Sequence, residues 1–458
     1  MMASKSKRLR QNTELRNKTI NRIGYLSVFV FLVKIFIIWR IPNLTISQAQ
    51  GHIWLGADGE NYLKGTDGLI SEGILSKEGF LSYWPAGYPL IIYFLSFFGK
   101  SWTLTVLALV QSLFFSISIY FLANEIYKSR LKKYVVIIFI FLIFNPTLSL
   151  SSISVGYESF CASGFIAIMT LILKDLRISN KNQSIKTLIF LSIISSLLSF
   201  MQPRFLLAAI FILIIWTFSR FKGTLKKTLL VLTVSLIISV IFPLSLIIRN
   251  HFATGFNGIS TNLGVTMSIG AGDTNGSYNG KHSLPCRITE TENSKIDNQR
   301  VKCVINWYLK NPIPALKLFY NKSLYFWSPW FGPEANGTMA RNPWLTIHPL
   351  KNMTQTQDGI NLLYGTFGKL VSWIWMLSGL VLVFYGFLIL WRQKDEIKLL
   401  AIVAGAIVFS SWLVTLITIG DHRFRLPIMG ASLLLQAVAI RRLFAGGKPP
   451  MVQPPSLR

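Results

Sequence analysis

The chain has 458 residues, 52% of them hydrophobic and only 14% charged, where a soluble domain carries about a quarter charged residues. A net charge of +28 would suit a nucleic-acid partner only if the basic residues formed one patch; they are dispersed between apolar runs, so no nucleic acid is implied. Those runs are roughly 16 to 25 residues long, enough to cross a ~30 Å hydrocarbon core as helices. The composition therefore predicts an all-α polytopic membrane protein of about ten transmembrane helices.

In chain order, a basic tail (1–23) leads into the first apolar run at 24–42. The tail is long and no small-residue cleavage motif follows the run, so this span is read as a retained anchor and not as a signal peptide. A first outer loop, 43–100, is dense in Gly, acids and aromatics. Within it, 85–99 is apolar but short, with Pro85 and Pro89 at its start. It is read as a re-entrant or interfacial helix, because a crossing there would invert every later loop. Spans at 103–124, 134–150, 158–174, 186–202, 204–219 and 227–247 complete an N-terminal membrane domain, 24–248. A large outer loop, 249–366, holds a helix-like stretch at 301–325 and a Pro- and Gly-rich turn at 328–333. The two outer loops are expected to form a small α-rich cap. Spans at 367–391, 398–419 and 426–440 form the C-terminal membrane helices, 367–442, and a tail, 443–458, follows.

With the N-terminus inside, the connecting segments sort by sign. Lys128, Lys132, Lys133, Arg220, Lys227, Arg392, Arg441 and Arg442 fall on one side, and Asp58, Glu60, Glu290, Glu292 and Asp421 on the other. That is the positive-inside pattern. It implies cytoplasmic termini and, in a bacterium, an inner-membrane location with a periplasmic outer face. Cys286 and Cys303 share the large outer loop, where an oxidising compartment would allow a bridge. Closing that gap would contribute ~3 kcal/mol; spacing alone leaves bridged and free thiols equally open.

Several outer residues could carry chemistry. Asp58 and Glu60 flank a glycine just beyond the first span, where a carboxylate can act as general base on a hydroxyl; a merely solvated acidic loop is the plain alternative. Arg249 and Asn250 end the seventh span and lead to Ser260, Thr261, Asn262 and Gly264. A cation beside a Gly- and hydroxyl-rich segment suits a phosphate or sugar, although an arginine also snorkels to the interface for its own sake. Arg423 and Arg425 lie on the outer face against the charge trend and invite an anionic partner, and Arg204 is a weaker case of the same kind. Glu158 is an ionisable group at the edge of hydrocarbon, a functional candidate by position. No zinc pattern, P-loop, nucleophile elbow or dinucleotide fingerprint occurs, and no metal or cofactor is implied.

Taken in order, these features resemble the GT-C superfamily of membrane glycosyltransferases, most closely the bacterial branch related to protein O-mannosyltransferases and the lipid A aminoarabinose transferase. The resemblance rests on Asp58 and Tyr62 in the first outer loop, Pro85 to Pro89, Glu158, the run from Arg249 and Asn250 to Gly264, and Arg423 to Pro427 before the last span. It implies sugar transfer from a polyprenyl-phosphate donor to a glycan, lipid or protein acceptor on the outer face of the membrane, with inversion. Asp58, with Glu60 as a second carboxylate, is the implied base. Tyr62, Glu158, Arg204, Arg249, Asn250, Asn262, Arg423 and Arg425 are the implied substrate contacts, with membrane lipids around them. The chain departs from the branch at Gln202-Pro203-Arg204, where Arg-Pro is common. Rival readings are an O-antigen ligase or polymerase, a lipid-linked sugar flippase or secondary transporter, and a membrane scaffold without catalysis.

Overall fold

The structure is a computed structural model that describes residues 2–41, 49–50, 52–55, 58–178, 181–221, 223–272, 283–327, 365–393 and 396–444. The Gly56-Ala57 pair of the first loop motif, the 328–333 turn and most of the C-terminal tail lie outside these residues.

Continuous apolar runs leave a helix no polar face to present to water, and they fold as helices that expose large apolar side chains on the outside of the bundle. Phe36, Phe114, Phe190, Ile237 and Phe384 are all exposed, which suits hydrocarbon and not water. The first helix, α1 (Met2–Arg40), contains both the basic tail and the first span. A small antiparallel pair, β1 (Ala49–Gln50) and β2 (Ile53–Leu55), follows, and then α2 (Gly59–Glu72), α3 (Phe80–Tyr83) and α4 (Gly87–Leu95). Next come α5 (Thr103–Lys128), α6 (Val135–Ile143), α7 (Pro146–Leu150), β3 (Ser154–Val155) and α8 (Glu158–Ile178). The membrane bundle continues with α9 (Lys181–Met201), α10 (Leu206–Arg220) and α11 (Leu225–Thr254). Three helices then form the described part of the cap: α12 (Leu263–Gly272), α13 (Asn293–Lys310) and α14 (Pro312–Trp327). The chain returns through α15 (Gly365–Trp391), α16 (Glu396–Ile417) and α17 (Met429–Phe444).

Among the described residues, eight helices are long and apolar enough to cross a membrane, and nine if the bent pair formed by α6 and α7 is one span. The protein is an integral membrane protein. Two details differ from the sequence reading. A ribbon of very short strands, β1-β2-β3, is added to an otherwise helical chain, whose class stays all-α. Helix α11 also runs to Thr254 before Gly255 ends it with φ +73°, so Arg249 and Asn250 belong to the span's helix and not to the loop.

The bundle has two unlike ends. At one, Glu125 of α5 takes Lys128 (3.0 Å) and Arg177 (3.1 Å), and buried Asp175 of α8 takes Arg220 of α10 (2.8 Å); this is the basic face. The other end, the site face, carries Asp58, Glu158 and Arg204. There α4 packs directly on the end of α9. A side chain at Gly87 would meet the Phe200 carbonyl oxygen at 2.1 Å, so only glycine allows the approach. Tyr88, one residue on, donates to Gln111 Oε1 (3.2 Å) and accepts the Gly156 N–H (2.7 Å). The short helix expected at 85–99 is thereby pinned between α5 and the strand that precedes α8. Cys286 and Cys303 are bonded (S–S 2.03 Å), closing the cap on itself.

Candidate active site

The site begins with a short parallel strand pairing. Strands β2 and β3 run parallel with Leu55 opposite Val155. Asp58 lies three residues beyond the first and Glu158 three beyond the second, so the pairing brings together two acids that are 100 positions apart in sequence. Gly59 packs against Val155 at van der Waals distance, where an added Cβ would lie 3.4 Å from the valine Cβ, which keeps the start of α2 close to the start of α8.

Asp58 sits at the N-cap of α2, yet its side chain caps no helix N–H. Its Oδ2 instead accepts a hydrogen bond from Arg423 Nη1 at 2.8 Å. Arg423 belongs to a 3-10 turn, His422–Ile428. Asp421 shapes that turn by accepting the Arg423 backbone N–H at Oδ1 (2.8 Å) while its Oδ2 stands 3.5 Å from Arg423 Nε. Arg204, from the turn that opens α10, lays its guanidinium 3.4 Å from the centroid of the Phe424 ring, a cation–π stack. Glu158 is buried and lies within electrostatic reach of Asp58, Arg423 and Arg204.

One wall is aromatic. Tyr62 is buried with its ring 5.2 Å from Tyr88, 6.3 Å from Tyr157 and 6.4 Å from Trp84. Burial pushes the Tyr62 phenol well above its ordinary range, and the nearby Tyr157, Asp58 and Glu158 push the same way. Tyr157 is raised too, mainly by burial. Both are therefore neutral hydrogen-bond donors at any physiological pH.

Within this cluster, Glu158 Oε2 and Arg204 Nη1 are buried with no hydrogen-bond partner among the described residues. A buried polar atom without a partner costs roughly 1–3 kcal/mol and more when charged. A carboxylate oxygen and a guanidinium nitrogen left without partners in one cluster mark a place where a polar ligand can be met.

The structure thus gathers Asp58, Tyr62, Glu158, Arg204 and Arg423, and it leaves the other expected residues elsewhere. Glu60 is exposed on α2. Arg249 is buried, and its guanidinium donates to the carbonyls of Ile74 (3.1 Å), Ser76 and Leu81 (3.4 Å) and to Asn250 Oδ1 (2.8 Å). Asn250 in turn donates to the Gly258 and Ile259 carbonyls (2.8 and 3.1 Å). This pair ties the 74–81 segment of the first outer loop to the start of the second and holds no open donor toward the acids. Asn262 accepts from Ser260 Oγ (3.2 Å), and its carbonyl starts α12 by accepting the Thr266 N–H (3.0 Å). Arg425 faces a different cleft.

Three contributors escaped the sequence reading. Tyr157 and Phe424 carry no signal beyond their place beside Glu158 and Arg423. Lys34 did carry one, being a lysine inside an apolar span. It is buried, donates to Ser152 Oγ (2.8 Å) and lies 3.7 Å from the Phe115 ring centroid. Gln111 donates to the Ser154 carbonyl (2.9 Å) and joins this network to Tyr88, so Lys34 helps hold the strand that delivers Glu158. Among the described residues, no group of three His, Cys, Asp or Glu could hold a metal ion.

Fold and site together define a polytopic membrane protein with a part-buried mixed-charge cluster at one end of its bundle. No family model matches the sequence, and no curated protein and no solved structure matches it either.

Proposed function

We propose that the protein is a glycosyltransferase that moves a sugar from a polyprenyl-phosphate donor to an acceptor hydroxyl at the site face. The observation that carries the reading is the cluster of Asp58, Glu158, Arg423 and Arg204 with open atoms on Glu158 and Arg204. In this reading ten spans place the termini and the basic face in the cytoplasm and the site face outside, the periplasm of a bacterium, and 85–99 is an interfacial helix.

The reaction needs a base for the acceptor and cations for the leaving phosphate. Asp58 accepts the acceptor's hydroxyl proton. The freed oxygen forms a bond to the anomeric carbon, the bond from that carbon to the phosphate oxygen breaks, and the electron pair leaves with polyprenyl phosphate. Arg423 and Arg204 meet the charge that develops there. At rest Asp58 is held by Arg423. A donor phosphate that takes over Arg423 releases Asp58 to act as base, so binding the first substrate arms the group needed by the second. Tyr62 and Tyr157, held neutral, can donate to sugar hydroxyls. Asp58, Glu158 and Asp421 are the carboxylates around Arg423, with Asp421 engaged by the backbone of its own turn, and Glu60 stands outside the cluster.

An apolar groove of about 900 Å³ supports a lipid-linked donor. It is lined near the site by Ile91, Phe160 and Met201 and follows α5 from Val110 to Lys128, about 27 Å at 1.5 Å per residue. That is nearly the thickness of the hydrocarbon core, long enough for an extended isoprenoid chain whose phosphate ends beside Arg204.

The test is sugar transfer by purified protein in proteoliposomes supplied with polyprenyl-phosphate sugars. Wild type should release polyprenyl phosphate in step with glycosylated product. Asp58→Asn should lose about 10²- to 10⁴-fold, the usual scale for a general base. Equal rates in both proteins would remove Asp58 from the mechanism.

A further inference from the structure

The cap carries apolar side chains that its own core does not use. Helix α13 buries Val304 in a cluster with Met267 of α12 and Leu318 of α14, and Cys303 beside it is bonded to Cys286. Helix α14 buries Ala315, Leu318, Lys322 and Phe326. Other faces of the two helices are apolar and open. Ile305 and Leu309 stand one turn apart on α13, and Ile313, Leu316 and Tyr320 follow at i, i+3 and i+7 on α14, which puts them on one face of it. Leu309, Ile313, Leu316 and Tyr320 are each 60% exposed or more. Neither helix is among those long and apolar enough to cross the membrane, so no span explains these side chains.

Their level relative to the bilayer is set by the end of span α16. The Tyr308 hydroxyl, one residue before Leu309, donates to the Ile417 carbonyl (3.2 Å). Lys322 donates to the Leu416 and Thr418 carbonyls (3.0 and 2.6 Å) and to the Tyr308 hydroxyl (3.0 Å). Ser323 Oγ accepts the Trp412 indole N–H (3.0 Å). Ile417 ends α16 shortly before Asp421, so this is the span's end at the site face. The end of α13 and the body of α14 are therefore fastened where hydrocarbon gives way to headgroups.

The same stretch has charge of one sign. From Asn298 to Trp327 there is no Asp or Glu, while Arg300, Lys302, Lys310, Lys317 and Lys322 are present. Lys302, Lys310 and Lys317 are exposed and border the apolar residues: Lys302 comes one turn before Ile305, Lys310 follows Leu309, and Lys317 lies one turn beyond Ile313. The acids at the start of α13 are engaged there, Glu292 with Lys295 (3.2 Å) and Asp297 with the Gly264 N–H (2.7 Å). Large apolar side chains edged by lysines, with Trp307 and Tyr320 among them, make up a helix pair suited to lie in the membrane interface. A second copy of the chain fits less well. A two-fold contact would set each stripe against its own equivalent and bring its lysines toward lysines.

We propose that the junction of α13 and α14 is an interfacial anchor for the cap. Leu309, Ile313, Leu316 and Tyr320 enter the boundary between headgroups and acyl chains in the leaflet on the site face, and Lys302, Lys310 and Lys317 bind anionic lipid headgroups there. The disulfide-closed cap is thereby held down on the membrane surface. This contact is independent of the transfer reaction.

Cys161 is buried and Cys286 is bonded to Cys303, so a cysteine introduced on the surface can be labelled selectively. Full-length Leu316→Cys carrying a fluorophore is reconstituted in vesicles of phosphatidylcholine alone or of equal parts phosphatidylcholine and phosphatidylglycerol. Each vesicle also holds a lipid with a spin-label quencher just below its headgroup. That lipid should quench the label about twofold or more, as for a group seated in the interface. Ile313→Cys, a second site should the first variant fold poorly, should behave alike, and Asn298→Cys in the polar first half of α13 should be quenched less. Quenching should be stronger with phosphatidylglycerol, and Lys302→Gln, Lys310→Gln and Lys317→Gln together should remove that difference. No quenching at either Leu316→Cys or Ile313→Cys would overturn the proposal, because another part of the chain or a second copy would then cover the face. Quenching that ignores phosphatidylglycerol while the lysines are intact would overturn the role given to them.

Discussion

Arg249, buried, and Arg423, part-buried, lie at the same end of the bundle and are arranged in opposite ways. Arg249 faces the carbonyls of Ile74, Ser76 and Leu81 and the side chain of Asn250. Its partners are fixed backbone atoms, so it ties two segments together and offers nothing to a ligand. Arg423 faces side-chain carboxylates, Asp58 and Asp421, and its neighbours Arg204 and Glu158 keep atoms without partners among the described residues. A buried guanidinium satisfied by backbone is part of the frame. One satisfied by an exchangeable carboxylate, in a cluster with unmet atoms, is where a ligand can substitute for a side chain.

That contrast can be broken by experiment, beginning where the expected effect is largest. Arg423→Gln should lower sugar transfer by about 10²- to 10³-fold, the scale of losing one preorganised donor to a developing oxyanion, while the melting temperature changes little. Arg249→Met should do the reverse. It strands several buried carbonyls, so stability should fall by about 3 kcal/mol or more, read as a lowered melting temperature in detergent. If Arg249→Met melts like wild type, the frame reading of that residue is wrong.

Smaller effects should be confined to the cap. Cys286→Ser opens a closed loop, and roughly 2–3 kcal/mol of stability should be lost from that region, read as faster hydrogen exchange across α13 with the spans unaffected. A pH dependence of stability is expected as well. Lys322 of α14, outside the spans, is pulled down to about 7 by burial, and it donates to the Leu416 and Thr418 carbonyls (3.0 and 2.6 Å) at the end of α16 and to the Tyr308 hydroxyl (3.0 Å). Its folded value lies below the unfolded value of 10.5, so between the two the unfolded chain binds the extra proton. Stability should therefore rise with pH from about 7 to about 10.5, by at most ~1.4 kcal/mol per pH unit, the limit for one proton. Lys322→Met should flatten that slope in pH-dependent melting.

The spans were legible because a run of apolar residues has one stable form in hydrocarbon; among the described residues eight helices, or nine with the bent pair at 134–150, are long and apolar enough to cross. Glu158 and Arg423 were legible as ionisable groups where a run meets water. The pairing of Asp58 with Arg423 was not, since 365 positions separate them and nothing local encodes which loop reaches which. The fate of Arg249 was hidden for a different reason: its acceptors are main-chain carbonyls, which every residue has. The strands that align Asp58 with Glu158 are two or three residues long, too short for any alternation of polarity to show. Lys34 could have been found, because a lysine inside an apolar span needs a partner wherever it occurs.

In the proposed mechanism donor phosphate and Asp58 compete for Arg423. The most direct measurement is polyprenyl-phosphate binding and sugar transfer in the same preparation of Asp58→Asn. Removing the competing carboxylate should leave binding as tight as wild type or several-fold tighter, while transfer collapses. Loss of binding together with transfer, or transfer undiminished, would contradict it.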